Sequence, residues 1–272
     1  MKNSKFSVSM CVYGGDNPQH FKIAVESILN QTVKPDEVVL VVDGPVPEET
    51  ADIISGFEGE DFRVIRLQEN VGHGDARRIG FENCKHELIA LMDADDISLP
   101  HRFEKQLECF SKNEKLDICG GDIVEFIENP KNIAGTRIVP KTDEAIKEYM
   151  KSRCPMNQVT VMFKKSSVEA AGGYIDWFCE EDYYLWLRMY LNACRFANVD
   201  GVLVNVRVGA DMYNRRGGMK YFKSEAKLQK FMYKNKIINF GTYFMNVAKR
   251  FIVQVLLPNR LRGWVFKKFA RE

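Results

Sequence analysis

The sequence predicts an α/β fold: a mostly parallel central sheet flanked by helices, with a basic helical extension at its C-terminal end. Three observations lead there. From Phe6 to Phe110, short apolar runs alternate with stretches of helical periodicity. One run, Val38-Val39-Leu40-Val41-Val42, is continuous and β-branched, which suits a strand buried on both faces of a parallel sheet. Finally, Gly, Pro, Asn and Asp cluster where these runs end.

The elements follow in order. Phe6 to Tyr13 alternates like a strand and is broken by Gly14-Gly15-Asp16-Asn17-Pro18. A helix follows, with Phe21, Val25, Ile28 and Leu29 on one face. Lys34-Pro35-Asp36 turns the chain into the Val38 to Val42 strand, which ends at Asp43-Gly44-Pro45. A short helix around Ile53, Ile54 and Phe57 leads to a third strand, Phe62 to Leu67, and to the loop Asn70-Val71-Gly72-His73-Gly74. A helix from near Asp75 then precedes the run Glu87 to Met92, which stops at Asp93-Ala94-Asp95-Asp96. Ser98 and Pro100 signal the next helix start, with Phe103, Leu107 and Phe110 facing inward.

The second half predicts a strand over Leu116 to Ile127, a helix over Asp143 to Lys151, a strand over Gln158 to Phe163 and a stop at Gly172-Gly173. Glu180-Glu181-Asp182 then opens an apolar helix, its acids matching the helix dipole. A last strand spans Val199 to Val206, Arg215-Arg216-Gly217-Gly218 reads as a loop, and the remainder is helical and increasingly basic.

Composition excludes several classes of function. Lys+Arg 39 against Asp+Glu 37 gives a formal charge of only +2, without the basic excess of a general nucleic-acid binder. The seven cysteines include no C-x-x-C pair, and one is left over from any full pairing, so they read as free thiols in a reducing compartment. Met1 to Lys5 lacks the pattern of a signal peptide, and no window of about 18 apolar residues marks a spanning helix. A cytoplasmic location is expected.

In an open α/β sheet, ligands bind outside the carboxyl ends of the strands. Asp43, the Asn70 loop and the Asp93 cluster all follow strand ends and should converge there. Three carboxylates within four residues repel one another in a dry pocket, and a hard divalent ion, Mn2+ or Mg2+, would relieve that repulsion. The competing reading is a solvated turn that caps the next helix; a simple cap needs only one Asp. Asp43 is evenly balanced between a nucleobase or ribose ligand and a turn residue. The Asn70 to Gly80 segment offers backbone N–H groups together with Arg77 and Arg78, which suits a diphosphate; the same pattern fits a surface helix with exposed arginines. Glu181 and Asp182 fit a general base for an acceptor hydroxyl about as well as they fit helix capping. His73, a lone His in a Gly-rich loop, carries no catalytic expectation.

Taken together, the runs Ser7 to Tyr13, Ser27 to Thr32, Pro35 to Val39, Val42-Asp43-Gly44, Asn70-Val71-Gly72, Ala76-Arg77, Asp93 to Asp96 and Glu181 to Trp186 resemble the family 2 glycosyltransferases. More narrowly, they are similar to bacterial enzymes that build O-antigen and capsule repeat units. The resemblance covers roughly residues 6 to 218. It implies a GT-A fold, Rossmann-like, over residues 1–218, with a helical region over 219–272. It further implies transfer of a hexose or N-acetylhexosamine from a UDP-sugar, with inversion, to a saccharide acceptor carried on a polyprenyl diphosphate lipid. Carried over by position, Val12, Tyr13, Asp43, Gly72, Arg77, Asp93 and Ala94 would contact the donor, and Asp43 would read the uracil. Asp95, with Asp93, would hold the metal. Asp182, preceded by Glu181, would be the base, and Arg215 and Arg216 would belong to a loop closing over the diphosphate. Arg78 and His73 depart from the residues usual in this family.

From Lys249 onward the chain has seven Lys or Arg and one acid, interleaved with apolar residues. That pattern suits a helix lying in a membrane interface and, nearly as well, an amphipathic helix packed on the domain; the lipid-linked acceptors that the resemblance implies favour peripheral membrane attachment. Two other functions fit the sequence less well. A sugar nucleotidyltransferase would use a basic Gly-rich first loop, which is not evident after Tyr13. A non-catalytic nucleotide-binding partner would not need Asp93, Asp95 and Asp182 intact.

Overall fold

The computed structural model describes residues 4–209 and 217–258. The elements are β1 (Phe6–Tyr13), α1 (Pro18–Leu29), β2 (Glu37–Asp43), α2 (Glu48–Phe57), β3 (Phe62–Arg66), α3 (His73–Asn83) and β4 (Leu88–Met92). They continue with β5 (Ile97–Ser98), α4 (Arg102–Lys112), β6 (Ile118–Phe126), β7 (Ile133–Arg137), α5 (Asp143–Tyr149), β8 (Met162–Lys164) and α6 (Lys165–Ala170). Last come α7 (Glu181–Leu191), β9 (Phe196–Arg207), α8 (Met219–Lys234) and α9 (Phe240–Phe251).

The strands join in the order β3-β2-β1-β4-β8-β6-β9-β5, with β7 on the free side of β6. The first four are mutually parallel, as β-α-β crossovers require. Beyond β4 the sheet is mixed: β8 runs antiparallel to β4 and to β6, whereas β9 runs parallel to β6. The fold is thus the α/β arrangement expected, with a continuous parallel portion in the N-terminal half and one further parallel pair, β6 with β9, beyond it.

Alternation along the strands feeds two cores, one on each side of the sheet. Val38, Leu40, Val42, Ala90 and Met92 pack with Phe21, Val25 and Ile28 of α1 and Phe103 of α4. The intervening Val39, Ile89 and Leu91 pack with Phe81 of α3 and with Trp186 of α7. Every residue of β2 is buried, as its unbroken apolar run requires. Leu228 and Met232 of α8 belong to the same second core as Trp186.

Three local expectations change. Gln158 to Thr160 forms a 3-10 turn, and only Met162–Lys164 is strand. The Thr160 hydroxyl bonds Asn157 O at 2.6 Å and receives Gly121 N–H at 3.1 Å, so side-chain bonding closes the turn. Ser98 ends a two-residue strand paired to Val204, and the helix begins later, at Arg102. The helix expected near Asp75 starts at His73.

The C-terminal helices form an antiparallel hairpin, with rings of Phe222 and Phe251 5.3 Å apart and those of Tyr233 and Tyr243 5.4 Å apart. Here α9 is inverted: its polar side faces inward. Asn246 bonds Gln229 and Lys151 O, Arg250 pairs with Glu225 at 2.6 Å, and Gln254, in a π-helical turn beyond α9, bonds Glu225. Phe240, Phe244, Met245, Ile252 and Leu256 are left exposed. Among the described residues no helix is long and apolar enough to cross a membrane.

The seat of α4 on the sheet is an edge-to-face pair, Phe6 with Phe103, at 4.9 Å and fully buried on both sides. Replacing Phe103 with Ala should lower unfolding free energy by about 3–5 kcal/mol, read as an earlier guanidinium midpoint. An unchanged midpoint would show that α4 is held elsewhere.

Candidate active site

The carboxyl ends of β1, β2 and β4 lie side by side. In register Tyr13 stands opposite Asp43, and Met10 opposite Met92, the last residue before the acidic cluster. Sheet pairing alone therefore gathers Val12, Tyr13, Asp43, Asp93 and Ala94 at one edge. Val12 and Ala94 are buried, whereas Tyr13 is exposed with its ring over Gly15.

Asp43 is buried and already engaged. Its two carboxylate oxygens accept the N–H groups of Val71 at 2.7 Å and Gly72 at 3.2 Å, pinning the loop before α3 to the end of β2. Gly44 adopts φ +83° just where Asn70 N would lie 2.7 Å from a Cβ, so the loop can approach only a glycine. Asp43 thus shapes the loop and retains lone pairs for a ligand.

Arg77 lies on the inner face of α3, buried, and not on a solvent face. Its Nη2 donates to Asp93 Oδ1 at 2.6 Å, while its buried Nη1 has no partner. The helix can sit this low because Gly80 meets Ser9 Oγ at 2.5 Å from where its Cβ would be. The Arg77 guanidinium, more than burial, lowers the pKa of His73, although the His73 ring is exposed; Asp93 opposes the shift. His73 is therefore neutral at pH 7.

The other acids of the cluster differ sharply. Asp96 is buried and accepts Arg207 N–H at 2.8 Å, a bond that ties the cluster to the end of β9. Arg207 also donates from Nε to Asp95 O at 3.1 Å, and its guanidinium lies over the Phe126 ring at 4.7 Å. The Asp95 carboxyl is pushed up to about 6 by burial first, then by Asp93 and Asp16. Asp16, on the loop after β1, is itself raised chiefly by burial. Beneath the cluster, fully buried Arg102 bonds Leu91 O at 2.7 Å, Gln106 and the Met92 sulfur, and burial lowers its own pKa to about 9.

The helix α7 presents its first turn to this edge. Glu181 is raised by burial and by Asp182, and lowered by Arg77 across the crevice. The charge of Asp182 acts on Cys154, Tyr174 and Glu181. Tyr174 is buried on the loop before α7, and its hydroxyl has no partner. Glu180 belongs to the framework: it is buried and accepts the Tyr221 hydroxyl at 3.1 Å. Gln31 has a similar framing role, its amide bonding Ser98 Oγ and Leu99 O so that α1 steadies the segment after the cluster.

The structure thus brings together Val12, Tyr13, Asp43, Gly72, Arg77, Asp93, Ala94, Asp95 and Glu181, with Asp182 beside them on α7. Arg215 and Arg216 lie outside the described residues, as do residues 259–272. Sequence reasoning missed Arg102, Arg207, Asp16 and Tyr174. Only Arg207 had a usable signal, standing just past an apolar strand end, like Asp43 and Asp93.

The Glycosyl transferase family 2 model matches residues 7–169. An Escherichia coli UDP-Gal:alpha-D-GlcNAc-diphosphoundecaprenol beta-1,3-galactosyltransferase is 36% identical over 98% of this chain and 97% of its own length. The amylovoran biosynthesis glycosyltransferase AmsE of Erwinia amylovora is 33% identical over 97% of this chain and 98% of its own. Among solved structures, S. aureus TarS 1-349 in complex with UDP-GlcNAc shares the fold, with a TM-score of 0.67 at 16% identity, covering 97% of this chain and 76% of that one. The strand-end acids, the Arg77–Asp93 pair and the acidic start of α7 therefore stand in a family framework, and the chain belongs to glycosyltransferase family 2.

Proposed function

We propose that this glycosyltransferase moves a hexose or N-acetylhexosamine from a UDP-sugar to a hydroxyl of a saccharide carried on a polyprenyl diphosphate lipid, in surface polysaccharide biosynthesis. The observation that carries the reading is that the first turn of α7 and the strand-end acids share one cation, Arg77, which pairs with Asp93 and also acts on Glu181. The substrates in the name of the Escherichia coli relative, UDP-Gal and a diphosphoundecaprenol-linked acceptor, support it.

In this reading Val12, Tyr13, Asp43 and Gly72 receive the nucleoside, and the unpartnered Nη1 of Arg77 donates to the donor. Arg215 and Arg216 are assigned to a loop over the diphosphate. A divalent ion, Mn2+ or Mg2+, fits Asp95 and Asp93. Among the described residues no Lys or Arg pairs with the Asp95 carboxylate, whose pKa is raised by burial first and then by Asp93 and Asp16. No set of three His, Cys, Asp or Glu converges there among the described residues, so phosphate oxygens and water must complete the shell. Bound there, such an ion supplies positive charge to the departing diphosphate.

Asp182, assisted by Glu181, accepts the proton of the acceptor hydroxyl. The oxygen then attacks the anomeric carbon as the carbon–oxygen bond to UDP breaks. Attack opposite the leaving group inverts the centre and turns an α-linked donor into a β-linked product. We place the protein on the cytoplasmic membrane face, and the exposed apolar side of α9 supports peripheral contact through α9 and the basic residues after Lys249.

With a panel of UDP-sugars and Mn2+ or Mg2+, one donor should raise the melting temperature of the wild type and be slowly hydrolysed. Asp95→Ala should abolish the shift, whereas Asp182→Ala should keep it while lowering kcat by about 10²–10⁴. Full turnover in Asp182→Ala removes its role as base, and silence with every UDP-sugar removes the donor assignment. For the membrane contact, Phe244→Glu with Ile252→Glu should release the protein from sedimenting phosphatidylglycerol vesicles; unchanged sedimentation contradicts that contact.

A further inference from the structure

The loop between α6 and α7, residues 173–180, lies beside the start of α3. Asp176 lies against the start of α3, its Oδ1 3.3 Å from where a Cβ on Gly74 would be, and the Tyr174 ring packs on Phe81 at 5.8 Å. The loop runs directly into Glu181 and Asp182. Its outer surface carries Ile175 and Phe178, both 44% exposed.

Helix α8 is anchored along this loop. The Ser224 hydroxyl donates to Phe178 O at 2.6 Å, and the Tyr221 hydroxyl to Glu180. Lys220, Lys223, Lys227, Lys230 and Lys234 follow a three- and four-residue spacing, which aligns them on one face of the helix. All five are exposed, and among the described residues none forms an ion pair. The one acid of α8, Glu225, is taken by Arg250 and Gln254 of the neighbouring turns. The two lysines nearest the loop are aimed at it: Lys220 Nζ lies 4.1 Å from the Phe178 ring centre, and Lys227 Nζ 4.0 Å from that of Trp177.

Like charges three and four residues apart on a helix repel, so a row without acidic partners is stabilised by an anion from outside. Between Lys220 and Lys227 the helix rises about 10 Å, which accommodates a diphosphate together with the sugar it carries. Exposed Ile175, Phe178 and Met219 adjoin the same cations. A cationic strip edged by apolar side chains matches an amphiphilic diphosphate better than a free polar anion.

We infer that Lys220, Lys223 and Lys227, with Phe178 and Ile175, form the subsite for the lipid diphosphate of the acceptor. This rests on the proposed function, because it is the acceptor sugar that the strip delivers to the first turn of α7. Lys230 and Lys234 extend the row outward along the path the carrier lipid takes.

The test titrates the full-length protein, its donor site filled with UDP and Mn2+, with farnesyl diphosphate and with farnesol. The wild type should bind the diphosphate and discriminate against the alcohol. Lys220→Gln with Lys227→Gln should weaken diphosphate binding about tenfold or more, remove its sensitivity to ionic strength, and leave UDP binding and vesicle sedimentation unchanged. Lys236→Gln with Lys249→Gln, an equal loss of charge elsewhere, should change none of these except sedimentation. Unaltered farnesyl diphosphate affinity in the Lys220/Lys227 variant overturns the subsite, as does lost vesicle binding with diphosphate binding intact, which makes the row a membrane surface. Failure of UDP to bind the wild type counts against the donor reading, and the farnesyl diphosphate comparison remains decisive because it does not depend on the donor.

Discussion

The structure is organised around negative charge placed where a buried strand ends. β4 runs through the middle of the sheet, and Asp93, Asp95 and Asp96 follow its end, Asp96 buried and the other two half-buried. Such a cluster is tolerable only with positive charge close by. Three arginines from distant parts of the chain supply it: Arg77 from α3 pairs with Asp93, Arg207 from β9 acts on Asp95 and Asp96 while its backbone N–H bonds Asp96, and Arg102 of α4 lies beneath the strand end. Among the described residues no Lys or Arg forms an ion pair with the Asp95 carboxylate, which burial first, then Asp93 and Asp16, push up.

That arrangement explains why the second half of the chain folds back as it does. β9 must reach the cluster for Arg207 to bond Asp96, and its antiparallel pairing with β5 fixes the segment just after the acids. The 3-10 turn before β8 places Val161 O within reach of Arg102, and Gln106 bonds both Cys119 O and Thr160 O. The mixed part of the sheet is therefore the frame that holds the cationic counterweights in place. On its outer side α7 brings Glu181 within the electrostatic reach of Arg77, which also pairs with Asp93.

Much of this was legible in the sequence because the signal was local. Alternation at Phe6 to Tyr13, the continuous Val38 to Val42 run and the helical spacing of Phe21, Val25 and Ile28 each report burial within a few residues. What was hidden depended on partners far along the chain. β5 is two residues long and exists through its pairing with β9, and β7 is a short polar strand, Ile-Ala-Gly-Thr-Arg, paired only to β6. Arg77 and Arg102 look like solvent-facing helix residues until the sheet closes over them. Asp43 read equally as a ligand and as a turn residue, and its bonds to Val71 and Gly72 show a carboxylate that shapes the loop it borders. The acids of α7 likewise divide: Glu180 bonds into the C-terminal helices while Glu181 turns to the crevice.

The central claim is that Asp95 is a carboxylate whose charge is disfavoured by burial and by the neighbouring Asp93 and Asp16, and which no Lys or Arg among the described residues pairs. Its folded pKa is raised, to about 6 from an ordinary 3.8, so the folded state holds its proton more tightly than the unfolded chain. Stability from this group is then highest below the unfolded value and falls as pH rises from about 4 to about 6. The most direct measurement is the melting temperature of the wild type and Asp95→Asn from pH 4.5 to 7.5, in EDTA and again with Mn2+. In EDTA the variant should gain on the wild type as pH rises, and Mn2+ should close that gap by stabilising only the wild type. Curves that run parallel at every pH, with or without Mn2+, would contradict the account.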